Sequence, residues 1–160
     1  ITERFSKIGS LPVLDKAYIV EVVNTSIEYM RTRTSTTVNF SVTSPSSHPI
    51  FVKLNIPLFE WVIENLCRNS VDAMGGNGAI SVEVTDQLQF VYMDVTDTGK
   101  GISRSRFKTI FQPGFTTKPR GWGLGLSLVK RIVENYHGGK IFVKSSELGK
   151  GTTIRIVLNK

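Results

Sequence analysis

The chain has 160 residues, of which 40% are apolar and 21% charged, and a formal net charge of +7. Its length suits one domain with a substantial core, and its composition is that of an ordinary water-soluble globular protein. It contains no apolar run of membrane-spanning length and no signal-peptide pattern, so we expect no membrane contact by this chain. The single cysteine, Cys67, excludes an internal disulfide and suits a reducing cytoplasm, where we expect the protein to work.

The positive charge does not mark a nucleic-acid site. Lysine and arginine residues are scattered along the chain, and no basic run alternates with aromatic residues on a recognisable binding element. A basic surface can also serve an anionic membrane or an acidic protein partner. We therefore expect no nucleic acid as a partner.

The first part of the chain is predicted to be a linker, a helix and two strands. Residues 1–12 have no convincing period and are assigned to the linker, whereas the apolar positions of residues 13–31 recur with a helical spacing. Alternating side chains predict strands over residues 36–43 and 50–54. The Ser- and Pro-rich loop between these strands, which contains His48, is predicted to join them as a hairpin.

A central helix is predicted from Pro57 to about Met74, because proline suits a first helical turn and a glycine-rich turn follows. Its mostly apolar face is formed by Phe59, Val62, Ile63, Leu66, Cys67, Ser70, Val71 and Met74. At 100° per residue, Asn65, Asn69 and Asp72 fall in a wedge of roughly 60° beside that face. Polar side chains in this position can line a cavity between helix and sheet.

Asp97 is the first residue of the segment 97–125, which has a glycine cluster at each end and is central to the functional prediction. Strands are predicted over residues 79–85 and 90–96, and the second delivers Asp97, whose carboxylate can accept a hydrogen bond from an exocyclic amine. Gly99 and Gly101 follow at once. Because these glycines have no Cβ atom, a ligand can approach their backbone.

A long segment without regular period separates these glycines from a second cluster at Gly121, Gly123 and Gly125. The second cluster leads straight into a helix, whose free amide N–H groups and positive dipole end favour a phosphate. An irregular segment of this length in a compact domain is usually either functional or disordered. We therefore predict a lid over a phosphate-bearing ligand.

The last part of the chain is predicted to be one helix and two strands. An apolar stripe over residues 128–136 marks the helix, two glycines after His137 end it, and His137 is expected to interact with the helix dipole. Residues 140–145 and 152–158 alternate as strands around a Gly-Lys-Gly turn. The whole pattern predicts an α+β fold, a two-layer sandwich with three helices on one face of a mixed sheet.

Several segments stand in a characteristic order. They are ENLCRNSVDAM at 64–74, DTGKG at 97–101, FQPGF at 111–115, GWGLGL at 121–126 and GKGTT at 149–153. In this order they resemble the N box, first glycine box, F box, second glycine box and Gly-Thr element of the ATP-binding superfamily of histidine kinases, gyrase, Hsp90 and MutL. The F box and the Phe-Thr-Thr-Lys run at 115–118 resemble in particular the catalytic and ATP-binding domain of sensor histidine kinases.

The resemblance implies a Bergerat-type fold, a mainly antiparallel mixed sheet with about three helices on one face and a long ATP lid. It implies that residues 13–160 are the catalytic and ATP-binding domain, and that residues 1–12 are a linker from a dimerisation domain outside this chain. That dimerisation domain would carry the phosphoacceptor histidine, since neither His48 nor His137 has a suitable setting. A response regulator would be the downstream partner.

The resemblance also implies the ligands of the site, ATP and Mg²⁺. Asn69 would hold the Mg²⁺ with help from Asn65, and Asp97 would receive the adenine amino group. Lys118, or Arg120 close by, would reach the terminal phosphates, which makes Asn69 and Lys118 the catalytic residues. The other implied cofactor-binding residues are Asp72, Ala73, Gly99, Gly101, Ile102, Phe111, Thr116, Thr117, Gly121, Gly123, Leu124, Gly125, Leu126 and Thr152.

The residue four positions before Asn69 bears on whether the reaction is hydrolysis or transfer. Hydrolysing members of the superfamily place a Glu four residues before the Mg²⁺-binding Asn, whereas this chain has Asn65 there and Glu64 about 100° away around the helix. An imidazole acceptor needs no strong base, because it is largely unprotonated near pH 7. We therefore expect transfer of the γ-phosphoryl group to histidine, through positioning and charge neutralisation by Mg²⁺ and Lys118. A hydrolytic ATPase or serine kinase of the same superfamily, or a non-catalytic nucleotide-binding module, stays open as an alternative.

Overall fold

The computed structural model describes residues 11–114 and 125–160 of the chain. In these ranges the elements are β1 (Asp15–Tyr18), α1 (Ile19–Arg33), β2 (Val38–Thr43), β3 (Phe51–Leu54), α2 (Ile56–Ala73), β4 (Gly78–Gln87), β5 (Phe90–Asp97), short 3-10 helices (Arg104–Arg106 and Thr109–Phe111), α3 (Gly125–Arg131, continued by a π-helical turn over Ile132–Tyr136), β6 (Lys140–Glu147) and β7 (Gly151–Asn159). Most of the predicted linker and part of the predicted lid lie outside the described residues and stay predictions. None of the described helices combines the length and apolarity needed to cross a membrane.

The main sheet has five strands in the order β2-β4-β5-β7-β6. All neighbours are antiparallel except β2 and β4, which run parallel. Alternate side chains of β5, such as Val91, Met93 and Val95, are buried in one core cluster with those of the helices. On the opposite face Asp94 pairs with Arg155 at 2.8 and 2.9 Å. The predicted α+β sandwich with a mainly antiparallel sheet is thus confirmed.

The start of the first predicted helix was wrong. The apolar spacing of residues 13–31 predicts one helix, but Asp15–Tyr18 form β1 and the helix begins at Ile19. β1 pairs antiparallel with β3, which places Ala17 opposite Val52. The apolar residues at the start of this segment fit the period of a helix and that of a strand. The segment is extended because it pairs with β3, which is distant in the sequence.

The predicted hairpin was also wrong. β2 and β3 are both strands, but they belong to different sheets, because β2 pairs with β4 and β3 pairs with β1. The Ser- and Pro-rich loop therefore connects two sheets and does not form a hairpin turn. Side-chain alternation predicts that a segment is extended, but it does not identify the strand with which the segment pairs.

The central helix α2 agrees with its prediction. The Asn55 side chain accepts a hydrogen bond from the Leu58 N–H at 3.1 Å and caps the helix, and Pro57 lies in its first turn. The glycine-rich turn that ends it includes Gly75 at φ +65° and Gly76 at φ +80°. The helix is more deeply packed than the pattern indicated, because Trp61 and Glu64 are buried together with the apolar face.

His137 does not act through the helix dipole as a charged group. Its ring is buried, and the Asn55 N–H donates to Nε2 at 3.1 Å, so Nδ1 carries the proton and donates to the Ile132 carbonyl at 2.9 Å. Burial lowers the pKa of His137 below its ordinary value of 6.5, which favours this neutral form. The ring thus joins the end of the α3 segment to the start of α2. The predicted glycine ending is confirmed, with Gly138 at φ +66°.

Candidate functional site

The carboxylate of Asp97 is the centre of the candidate site. It is buried at the end of β5, where the Ser70 hydroxyl donates to Oδ2 at 2.8 Å. Its Oδ1 accepts the backbone N–H groups of Gly99 at 2.9 Å and Thr152 at 3.3 Å. A carboxylate offers about four acceptor positions, so the bonds among the described residues leave one position on Oδ2 for a further donor. The three contacts fix the direction in which that position points.

Ser146 ties the first glycine box to the turn between β6 and β7. Its hydroxyl accepts the Ile102 N–H at 2.7 Å and lies 2.8 Å from the Thr152 hydroxyl. The same hydroxyl lies 3.0 Å from the Gly151 carbonyl, to which it can donate. The Ser146 side chain therefore holds the backbone at Ile102, after Asp97, and at Gly151, at the start of β7. These bonds add to those of the sheet.

The glycines of the first box are required by packing within the protein. A Cβ atom on Gly99 would lie 2.9 Å from the Ala73 backbone at the end of α2. Gly101 has φ +78°, and a Cβ atom there would overlap the Glu147 carbonyl. The intervening Lys100 N–H donates to the Ala73 carbonyl at 2.9 Å. Close approach of α2 and the β6–β7 turn is thus a reason for these glycines beyond the predicted access for a ligand.

Of the polar wedge of α2, Asn65 lies beside the start of α3. Asn65 is buried, Asn69 is half-buried and Asp72 is exposed. A Cβ atom on Gly125, the first residue of α3, would lie 2.6 Å from Oδ1 of Asn65. The structure therefore brings the amide oxygen of Asn65 directly to the last glycine of the second box, although 60 positions separate the two residues in the sequence.

The other predicted site residues fall into two groups. Ile102 and Leu126 are half-buried against the core, and Phe111 is buried with its ring 5.9 Å from the Lys130 ammonium. Thr116, Thr117, Lys118, Arg120, Gly121, Gly123 and Leu124 lie outside the described residues, and their roles stay predictions.

Two hydroxyl side chains of the site, Ser70 and Ser146, were not predicted as site residues. A polar residue on the otherwise apolar face of α2 was an available signal for Ser70. Ser146 gave no local signal, because its contacts with Ile102 and Thr152 depend on the pairing of distant segments. Cys67 is a buried thiol, and burial raises its pKa to about 12, so it does not supply a thiolate nucleophile.

Residues 55–160 match the family of histidine kinase-, DNA gyrase B-, and HSP90-like ATPases. The chain belongs to this family. The match includes α2, Asp97, the start of α3 and the β6–β7 turn, which are the elements that meet at the candidate site. The predicted family is therefore confirmed.

Curated relatives that the chain matches include kinases. The sensor histidine kinase ZraS of Escherichia coli K12 is 47% identical over 97 residues, which cover 61% of this chain and 20% of ZraS. Sporulation kinase E of Bacillus subtilis is 37% identical over 112 residues, which cover 69% of this chain and 14% of that kinase. The chain thus spans a fifth of the length of ZraS and less of sporulation kinase E.

Solved structures of histidine kinases have the same fold. The catalytic domain of histidine kinase ThkA is 27% identical, with a TM-score of 0.78 over 92% of this chain and 95% of that domain. Mycobacterial sensor histidine kinase MprB is 27% identical, with a TM-score of 0.79 over 92% of this chain and 97% of that one. A structure of ThkA in complex with the response regulator TrrA matches 99% of this chain and 45% of that one, at 25% identity and a TM-score of 0.82.

Proposed function

We propose that this chain binds Mg-ATP and transfers the γ-phosphoryl group to a histidine on a separate dimerisation domain of a two-component sensor kinase. The observation that carries the proposal is the buried Asp97 carboxylate, held by three hydrogen bonds with one acceptor position left. Asp97 lies within a histidine kinase-, gyrase B- and HSP90-like ATPase domain. We therefore assign that position to the amino group of adenine. A response regulator is the proposed downstream partner.

Adenine fits this carboxylate. The exocyclic amino group of adenine is a hydrogen-bond donor, and a buried, ionised acceptor makes such a bond stronger than a neutral acceptor does. Ser70, Gly99 and Thr152 hold the carboxylate through bonds that need no ligand. The site is therefore preorganised, so little side-chain entropy is lost when a nucleotide binds.

Mg²⁺ fits the polar wedge of α2. The ion prefers oxygen ligands and is usually bound by few protein groups together with phosphate oxygens and water. Asn69 and Asn65 offer amide oxygens one helical turn apart, and Asn65 adjoins Gly125 at the start of α3. We assign the ion to Asn69, with Asn65 assisting. When bound, Mg²⁺ neutralises charge on the phosphates and polarises the transferred group.

The residues of α2 favour transfer to imidazole over hydrolysis. An amide such as Asn65 cannot take a proton from water, and Glu64 is buried about 100° away around the helix. An imidazole acceptor attacks through an unprotonated nitrogen and needs no base of this kind. The contribution of the chain is then to orient the nucleotide through Asp97 and to position its phosphates.

Labelled phosphate distinguishes this proposal from its alternatives. The chain is incubated with Mg²⁺, γ-labelled ATP and the histidine-bearing domain of the same full-length kinase, with Asp97→Asn as a matched control. We expect label on the partner in a bond that is labile in acid and stable in base, and much less label with the variant. Acid-stable label would indicate a serine kinase, and rapid release of phosphate by this chain alone would indicate a hydrolytic ATPase.

A further inference from the structure

A cleft of about 260 Å³ lies between the C-terminal end of α1 and the second half of α2. Its apolar surface comes from Met30 and Val71, and Tyr29 and Ser35 contribute polar atoms. None of the described residues that line it belongs to the Asp97 site. The cleft is therefore a separate feature of the surface, which the proposed nucleotide chemistry does not explain.

Among the described residues, those that line this cleft include the guanidinium groups of Arg33 and Arg68 and no aspartate or glutamate. Within the described part of the chain neither of them has a carboxylate within ion-pair distance. Arg33 is held with its Cζ atom 3.7 Å from the centre of the Tyr29 ring, and it donates one bond to the Thr32 hydroxyl at 3.2 Å. Most of its N–H donors thus have no acceptor among the residues that the structure describes.

The remaining arginine of α1 and α2 is paired. Arg31, two residues before Arg33, forms an ion pair with Glu28 and donates to the Phe40 carbonyl at 2.8 Å. Complementing the dipole at the end of α1 is a sufficient reason for a basic residue at Arg33. It is no reason for Arg68, which lies within a different helix and faces the same cleft.

We propose that this cleft binds the carboxylate side chain of an acidic segment of a partner protein. Guanidinium groups bind carboxylates through paired N–H bonds, and two of them on facing helices set a preferred position for the anion. Met30 and Val71 suit the methylene groups of a glutamate or an apolar residue beside it. The volume lies below the range of typical small-molecule sites, roughly 300–1,000 Å³, and suits one or two side chains.

The test is an NMR titration of the ¹⁵N-labelled chain with a hexaglutamate peptide at low salt, with hexaglutamine as the neutral control. We expect saturable shifts of the amides of Tyr29, Ser35 and Val71 with hexaglutamate only. Arg33→Gln and Arg68→Gln should each weaken binding about tenfold, the loss expected for one charge-assisted pair. Arg31→Gln removes the same charge from the same helix turn and should leave the affinity within about twofold.

Two results would overturn the assignment. Equal weakening by Arg31→Gln would show that the peptide responds only to the general positive charge of the chain. Inorganic phosphate that binds as tightly as the peptide, with the same dependence on Arg33 and Arg68, would show a site for a free small anion. Amide spectra of the unbound variants establish that each variant is folded before it is titrated.

Discussion

Asp97→Asn should separate ligand recognition from folding at the centre of the candidate site. Oδ1 of Asp97 accepts the backbone N–H groups of Gly99 and Thr152, so the oxygen of asparagine must stay there and its amino group must replace Oδ2. The Ser70 hydroxyl, 2.8 Å from Oδ2, can then turn and accept a bond where it now donates one. The three internal contacts are kept, so the free energy of unfolding should change by about 1 kcal/mol or less.

In Asp97→Asn the polarity of the hydrogen bond to the adenine base is reversed on the protein side. The position that is left on Oδ2 becomes an N–H donor that faces the amino group of adenine, which is also a donor. Loss of a hydrogen bond to a charged acceptor costs about 1.5–3 kcal/mol, or roughly tenfold to 150-fold in affinity. A nucleotide with a carbonyl oxygen at this position, inosine diphosphate, should instead gain a bond from the amide of the variant.

Calorimetric titration with three ligands measures this reversal. We expect Asp97→Asn to weaken ADP, to raise the affinity of inosine diphosphate relative to ADP, and to leave tripolyphosphate unchanged. Urea unfolding of both proteins provides the stability comparison. An unchanged ratio of ADP to inosine diphosphate would refute a contact between Asp97 and the base. Equal weakening of all three ligands, with a large loss of unfolding free energy, would identify Asp97 as a purely structural residue.

Further predictions concern the rest of the chain. Because burial lowers the pKa of His137, the unfolded chain takes up a proton more readily, so the free energy of unfolding should fall as the pH drops through 6.5, the ordinary value. Urea titrations from pH 8 to 5.5 should show this fall, which His137→Gln should flatten and His48→Gln should not. Cys67, with a pKa of about 12, should react with an aromatic disulfide at pH 8 only after denaturation, and rapid reaction of the native protein would contradict its burial. Gly101→Ala should lower the free energy of unfolding by about 2–5 kcal/mol, because strain at φ +78° adds to overlap with a carbonyl. Gly149→Ala, at φ +80° with no atom within 4 Å, should lower it by only about 1–2 kcal/mol, and equal losses would rule out the overlap.

The elements with strong local patterns were predictable. α2 has a proline in its first turn, glycines at its end and one apolar face, and β4 and β5 alternate over most of their length. Each of these signals depends on neighbouring residues only, because the directions of side chains along a helix or strand repeat within a few positions. The order of the motifs likewise led from the sequence to the correct family.

The tertiary structure alone decided which segments meet. β1 became a strand because β3 lies beside it, and β2 pairs in parallel with β4 across an intervening strand and helix. The same holds for the site: the motifs pointed to Asp97, but its contacts with Ser70 and Thr152 join residues 27 and 55 positions apart. Local sequence determines whether a segment is extended or helical and which side chains share a face. The choice of partner depends on long-range hydrogen bonding and packing, which no short stretch of sequence contains.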